Sequence, residues 1–292
     1  MFRIALKSTL ARRGRLITTA MAVVISVGFI TGTMVLSDVV DGTVGDLVSD
    51  SYRGIDAVVR SDRAQESQFG GAAYREPIGQ ASLEVATATS GVRAAEGVVV
   101  GSPVLVARDG SRVGTVGLST TIGTGWVVDD ALRGRPLESG RPPRSDGEVT
   151  LDAHTAAEQR FGLGDEVTLQ APGGSGRFRV VGLTGGGSAA DRSVGAAEVR
   201  FTPREAQRLF RKEGGWDYLA VASTPGTAPT RLVAALERRL PDDAEVLTGE
   251  DFIAETQQEI SKVIGLVTDF VLAFGWISVF VGIFVIANTF SI

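Results

Sequence analysis

Cysteine is absent from the 292 residues, and histidine occurs once. Disulfide-stapled scaffolds and thiolate–metal centres are thereby excluded, and a metal site would have to rest on carboxylates. Cations show no excess, the formal charge being −5, so the basic surface of a nucleic-acid binder is missing. Among 37 glycines there is neither a GxxxxGK[ST] loop nor a GxGxxG placed between a strand and a helix. Gly173-Gly174-Ser175-Gly176 and Gly185-Gly186-Gly187 lack the lysine and the context that phosphate cradling requires and read as turns. The chain shows no nucleotide-hydrolysing machinery of its own, and no cofactor-binding or metal residues stand out. Disorder is excluded by an apolar fraction of 43% beside 22% charged residues.

What is present is segregated along the chain. Residues 1–15 hold Arg3, Lys7, Arg12, Arg13 and Arg15 and no acid, and residues 16–37 hold no charge. Residues 38–262 carry 24 cations against 33 acids, and beyond Asp269 the last 23 residues are uncharged. Leu16 to Leu36 is 21 residues without a charge, about the ~20 that cross a ~30 Å hydrocarbon core as a helix. The cations before it and Asp38, Asp41, Asp46 and Asp50 after it predict a cytoplasmic N-terminus, so that the chain continues outside. A cleaved signal peptide is disfavoured, because the apolar run is too long and Ala20-Met21-Ala22 falls in its middle. Phe270 to Ile292 is a second span that returns the chain, and the sequence stops inside it. The expectation is the N-terminal part of a longer, multi-pass protein of the cytoplasmic membrane.

Each span has an amphipathic extension on its outer side. Leu36, Val40, Val44, Leu47 and Val48 recur at helical spacing among acids, and Phe252, Ile253, Ile260, Val263, Ile264 and Val267 follow the capping signal Thr248-Gly249-Glu250-Asp251. Two such stripes are expected to pack on each other or on a partner. Gly28 and Gly32 form a GxxxG that permits close helix approach, and Asp269 marks the outer edge of the second span.

Between the stalks, residues 50–249 read as mixed α and β. Ile55–Arg60 is a strand, Ile78–Thr89 a helix and Ala95–Ala107 strand material, and the order recurs as strand Tyr218–Ala222, helix Pro229–Leu240 and strand Ala244–Leu247. Two βαβ units a hundred residues apart imply one α+β subdomain split by an insertion, at about residues 117–215. The insertion is richer in β: Glu148–Leu151, Glu166–Gln170 and Arg177–Leu183 are strands, and Ala153–Phe161 and Pro203–Lys212 are short helices. Gln65–Tyr74 and Gly185–Val194 lack periodicity and read as loops.

Catalytic chemistry finds little support. His154 has neither a second histidine nor an identifiable nucleophile beside it, and reads as a surface residue. The acid pairs Asp129-Asp130, Asp165-Glu166, Asp242-Asp243 and Glu250-Asp251 match no calcium loop and read as solvated element ends.

The layout resembles the FtsX-like ABC transporter permeases with a MacB-type extracytoplasmic core domain. IALKSTLARRGRLITTAMAVVISVGFITGTMVLSD (Ile4 to Asp38), GEVTLDAHTAAEQRFGLGDEVTLQ with RFRVVGL, and FVLAFGWISVFVGIFVIANTFSI carry the resemblance in the family's order along the whole chain. It implies a membrane protein with two transmembrane helices (16–37 and 270–292) flanking the extracytoplasmic α+β domain. Phe2–Arg13, within residues 1–15, would be a cytoplasmic amphipathic helix, and Val35–Val48 and Phe252–Val267, within 38–49 and 250–269, the stalk. The split βαβ unit would be porter-like and the β-rich insertion sabre-like.

The implied function is that of a non-enzymatic permease subunit working as a dimer with a cytoplasmic ABC ATPase. ATP binds that partner, and its hydrolysis moves the outside domain to export or extract a lipophilic or peptide substrate, or to control an envelope process. The family's coupling segment, E-x-A-L-x-R-A-x-G, and its further spans do not occur in this sequence, and substrate and direction of transport are left open. Two alternatives stand beside this reading: a two-span membrane sensor with an extracytoplasmic ligand-binding domain, and a membrane-anchored hydrolase.

Overall fold

The computed structural model describes residues 13–65, 74–113, 121–185 and 197–290. Two units divide the chain, one of Met1–Gly42 with Glu259–Ile292 and one of Thr43–Gln258. In chain order the main elements are helix α1 (Arg13–Ser51), strand β1 (Ala57–Ser61), α2 (Gln80–Thr87), β2 (Val92–Val98), β3 (Val100–Gly101), β4 (Val104–Val106) and β5 (Ile122–Gly125). There follow β6 (Leu137–Gly140), β7 (Glu148–Asp152), α3 (Ala153–Glu158), β8 (Glu166–Ala171), β9 (Gly174–Thr184) and β10 (Glu198–Phe201). The last are α4 (Pro203–Phe210), β11 (Tyr218–Ser223), α5 (Pro229–Glu237), β12 (Ala244–Thr248) and α6 (Gly249–Phe290).

The larger unit holds two principal sheets. In the first, the order is β12-β1-β11-β2 with every neighbour antiparallel. Strands β1 and β2 are therefore parallel across β11, and β11 and β12 are parallel across β1, which is the split βαβ arrangement. Alternation sorts their side chains to two faces. Ala57, Val59, Leu219 and Val221 join Ala86 of α2 and Leu232 and Leu236 of α5 in one apolar cluster. Val58, Ala220 and Ala222 join Val127, Leu132 and Phe252 in another, so the sheet is buried on both faces. Full burial of each leucine of α5 contributes about 1.5–3 kcal/mol, which fixes that helix more firmly than its propensity does.

The second sheet has the order β3-β5-β10-β7-β9-β8-β4, with β6 pairing β9. It is mixed, β7 with β9 and β10 with β5 running parallel. Val149, Leu151, Val167, Leu169, Phe178, Val180 and Phe201 pack with Leu209 and Phe210 of α4. Helix α4 is specified locally: the Thr202 hydroxyl accepts from the Glu205 N–H, Pro203 occupies the first turn, and Arg211 closes the helix in the left-handed region.

The strand read over Ala95–Ala107 is three strands. Strand structure is interrupted at Val99 and at Ser102-Pro103, and β3 and β4 belong to the second sheet. The apolar run is uninterrupted because both sheets need buried residues there, so hydropathy alone does not mark the crossing. The link between β8 and β9 is Pro172-Gly173, with strand pairing continued to Ala171↔Gly174. Of the two segments read as loops, residues 66–73 and 186–194 lie outside the described residues, while Gln65 and Tyr74 pair across two short strands; Arg3, Lys7 and Arg12 and nearly all of Phe2–Arg13 also lie outside the described residues.

Candidate functional site

The ends of the two long helices meet the first sheet at adjoining strand ends. After α1 the chain turns through Tyr52-Arg53-Gly54 into β1, and β12 runs directly into α6. Ala57 and Thr248 are paired across β1 and β12, so the register brings the two junctions together. Gly249 is required at its position, because a Cβ there would overlap the Ile55 carbonyl. Thr248 caps α6 by accepting the Asp251 N–H at 3.1 Å, while its own hydroxyl donates to the Asp251 carboxylate at 2.6 Å.

Two sets of side chains fasten this junction. The first is aromatic: the Phe252 ring lies 5.0 Å from Tyr52 and 5.5 Å from Tyr218, the tyrosines being 6.2 Å apart. Tyr52 meets both other rings edge-on and Tyr218 lies tilted at 43° to Phe252; such aromatic pairs are worth about 0.5–1.5 kcal/mol each beyond their buried area. Burial raises the Tyr52 phenol, with the Tyr218 hydroxyl pulling it partway back, and burial raises Tyr218 further, so both are neutral donors. The second set is ionic. Arg60, buried at the end of β1, donates to Glu245 of β12 at 2.8 Å and to Glu255 of α6 at 2.5 Å, and Arg75 pairs with the same carboxylates at 2.9 and 3.6 Å. The Arg60 guanidinium also lies 5.6 Å from the Phe252 ring centre, which joins the two sets. Gln257 of α6 donates to the Gly45 carbonyl at 3.0 Å and to Ser49 at 3.2 Å on α1.

Beside Tyr52 and Tyr218 lies a cavity of about 150 Å³ between the two sheets. Its lining mixes the apolar Ile55, Val98, Val127 and Leu132 with the charged Arg133, Arg135, Glu198 and Arg200. Burial would raise the Glu198 carboxyl, but Arg200 and Arg135 outweigh it and hold it below the usual carboxylate range. Arg133 stacks on Trp126 at 4.6 Å. The segment carrying these residues is held to β2 by Glu96, which accepts the Val128 and Asp129 N–H groups at 2.7 and 2.6 Å.

Of the residues singled out in the sequence, Phe252 is part of the junction, and Ile260 and Val263 are half-buried on α6. Helix α1 runs through Leu36, Val40, Val44 and Leu47, and Leu36 is exposed. Arg13 and Arg15 lie in its first turn. A Cβ added at Gly28 or Gly32 would meet nothing within 4 Å among the described residues. In the smaller unit Gly275 lies close to its neighbours, a Cβ there coming within 3.1 Å of Ile30 and 3.3 Å of Phe29, and Ser37 and Thr268 share a 3.3 Å hydrogen bond. Over Gly249–Phe284 helix α6 is long and apolar enough to cross a membrane, and α1 carries a shorter apolar stretch, Val27–Val39.

His154 is exposed on α3, and among the described residues no group of His, Asp and Glu is placed to hold a metal ion. Four of these acids have structural partners: Asp129 binds Arg93, Asp165 binds Arg108, Asp243 pairs with Arg63, and the Asp251 carboxylate accepts from the Thr248 hydroxyl. Sequence periodicity found Phe252 but not its partners, because Tyr52 and Tyr218 stand alone in turn and strand, and Arg60, Glu245 and Glu255 are joined only by folding.

A family model described as MacB-like periplasmic core domain matches residues 16–239. Comparison with curated proteins finds no match. Among solved structures, the periplasmic region of MacB from Actinobacillus actinomycetemcomitans is similar at 15% identity and TM-score 0.48, covering 70% of this chain and 94% of that one. The extracellular domain of the ABC-type transporter YknZ from Gram-positive bacteria is similar at 12% identity and TM-score 0.46, with coverage of 66% and 98%. A domain of a putative permease protein from Porphyromonas gingivalis gives 15% identity and TM-score 0.41, with coverage of 66% and 86%.

Proposed function

Since the chain belongs to the MacB-like periplasmic core domain family of ABC transporter permease components, we propose that it is a non-enzymatic permease subunit that transmits movement from a partner ATPase to its outer domain. ATP is bound and hydrolysed by a separate cytoplasmic ABC ATPase, and the permease works as a dimer. The segments 16–37 and 270–292 span the cytoplasmic membrane, the N-terminus is cytoplasmic, and residues 50–249 lie outside. The stalk segments 38–49 and 250–269 carry the motion, which serves export or extraction of a lipophilic or peptide substrate or control of an envelope process.

The observation that supports this reading is the double fastening of the helix junction. Tyr52, Tyr218 and Phe252 bind the end of α1, a central strand and the first turn of α6 into one packed group, and Arg60 bonds α6 to β1 and β12. A helix end held by packing and by charge pulls its strands with it, whereas a helix tethered by a loose linker does not. The test is to purify the full-length product in mild detergent, identify co-purifying proteins by mass spectrometry and measure ATP turnover. A stoichiometric Walker-motif ATPase whose turnover changes in Phe252→Ala is the expected result. A protein that purifies alone, or with a kinase, refutes the reading and favours a sensor.

A further inference from the structure

Residues 126–135 form no strand or helix of their own, yet they touch three parts of the molecule. The segment leaves β5 with the Trp126 N–H donating to the Phe201 carbonyl of β10 at 2.7 Å. This contact with the second sheet is reinforced by Arg200, whose guanidinium donates to the Arg133 carbonyl at 3.2 Å and lies 5.9 Å from the Trp126 ring centre. The second contact is with the first sheet. Arg93 of β2 holds the Asp129 carboxylate through two bonds of 2.7 and 3.0 Å, and Val127 and Leu132 enter the apolar cluster of Ile55, Val58 and Phe252. The third is with the turn that ends α1. A Cβ on Gly54 would lie 2.1 Å from the Ala131 carbonyl oxygen, and a Cβ on Gly134 would lie 2.2 Å from that of Ser51. Both glycines have positive φ, +86° and +69°, so neither position accepts a side chain without displacing its neighbour. Arg133 ties these contacts together. Its side chain donates back to the Val127 carbonyl at 2.9 Å and to the Val128 carbonyl at 2.5 Å while stacking 4.6 Å from the Trp126 ring centre. Bonds from an ionised donor are roughly twice as strong as neutral ones, so the loop is braced from within between its Trp126 end and its Ala131–Gly134 end.

We propose that segment 126–135 is a positioning strap that couples the end of α1 to the second sheet, a counterpart to the aromatic and ionic groups that hold α6 to the first. Displacement of the α1 turn presses on Ala131 and Gly134, and the braced loop carries it to Trp126 and Arg200. The coupling is reciprocal, so a change in the second sheet alters the seating of α1 by the same free energy. Its mechanical meaning rests on the transport reading, whereas the coupling itself needs neither an ATPase nor a membrane potential.

The test replaces the three tryptophans of the full chain by fluorotryptophan and follows the Trp126 resonance by fluorine NMR in mild detergent, assigned with Trp126→Phe. Gly54→Ala drives a methyl group into the Ala131 carbonyl, whereas Gly110→Ala, at φ +84° with nothing within 4 Å, imposes like backbone strain in the turn after β4. The Trp126 resonance is expected to move by more than its linewidth in Gly54→Ala and to stay in Gly110→Ala, with the Trp216 resonance unmoved in both. In an Arg133→Met background, adding Gly54→Ala should move Trp126 less than half as far. Ile55→Val, one methylene smaller in the cluster shared with Val127 and Leu132, should also shift Trp126, and it keeps the test decisive if Gly54→Ala does not fold. A stationary Trp126 resonance in the folded variants, equal movement in Gly110→Ala, or a response undiminished by Arg133→Met overturns the proposal. None of these outcomes depends on whether an ATPase co-purifies, so failure here and failure of the transport reading are told apart.

Discussion

Replacing Phe252 by leucine separates packing at the helix junction from mere hydrophobicity. The side chain is 7% exposed, and its ring contacts Tyr52 and Tyr218 at centroid distances of 5.0 and 5.5 Å. Truncation to alanine would cost about 3–5 kcal/mol, much of it for the cavity left behind. Leucine preserves most of the volume, so the cost falls to about 1–1.5 kcal/mol, chiefly the lost ring-edge contacts. In a unit the size of Thr43–Gln258, that is a fall in Tm of about 2–6 °C. Tyr52→Leu removes the same contact from the other side. The double variant should then lose about 0.5–1.5 kcal/mol less than the sum of the singles, measured by circular dichroism melting in mild detergent. Additivity within about 0.3 kcal/mol, with both single variants folded, would refute the claim that the junction is one packed group.

Arg60→Met removes a buried guanidinium from Glu245 and Glu255; these are 35% and 34% exposed, so the loss should be about 1–3 kcal/mol rather than the ~3–5 of a fully enclosed pair, checked by the urea midpoint. Glu148 is held at about 2 by hydrogen bonds from Arg141, reinforced by the Arg144 N–H. Its folded value lies below its unfolded one, so its stabilisation is present above about pH 4.5 and is lost as pH falls toward about 2. Glu148→Gln should flatten that acid limb of Tm against pH, and an unchanged slope would contradict the pairing. In the naturally cysteine-free background, Ser37→Cys with Thr268→Cys should form a disulfide under mild oxidation, since the native oxygens are 3.3 Å apart. A non-reducing gel without a mobility shift would count against the approach of α1 and α6 there.

The first sheet was legible because its strands are β-branched runs bounded by turns and its helices carry leucines four apart, as in Leu232 and Leu236. The same reasoning passed over β5 and β6. Ile122-Gly123-Thr124-Gly125 and Leu137-Glu138-Ser139-Gly140 are short and glycine-containing, and they become strands only because β10 and β9 present ladders for them. Gly123 also admits Phe210 and Pro103, a close packing that no local signal announces. At the junction, helical period marked Phe252, but Arg60 precedes its two carboxylates by 185 and 195 residues. Such pairs are set by strand register, which a single sequence specifies only after the whole sheet is in place.

The two fastenings answer displacement differently, and the difference decides which sets position. Dispersion at van der Waals contact is steep: a gap of about 0.5–1 Å forfeits a quarter to a half of it. A Coulomb pair falls only as the inverse of distance, so lengthening a contact from about 3 to 4 Å removes about a quarter of the attraction. Tyr52, Tyr218 and Phe252 therefore define where the first turn of α6 rests, while the ion pairs of Arg60 and Arg75 with Glu255 would hold over a displacement of that order. Strands β1 and β11 cannot absorb the motion by slipping one residue, because Val58 and Ala220 would exchange faces with Val59 and Leu219 in a sheet buried on both sides. On the proposed transmission reading, movement of the α6 terminus would therefore be passed to the sheet rather than dissipated by a register slip within it.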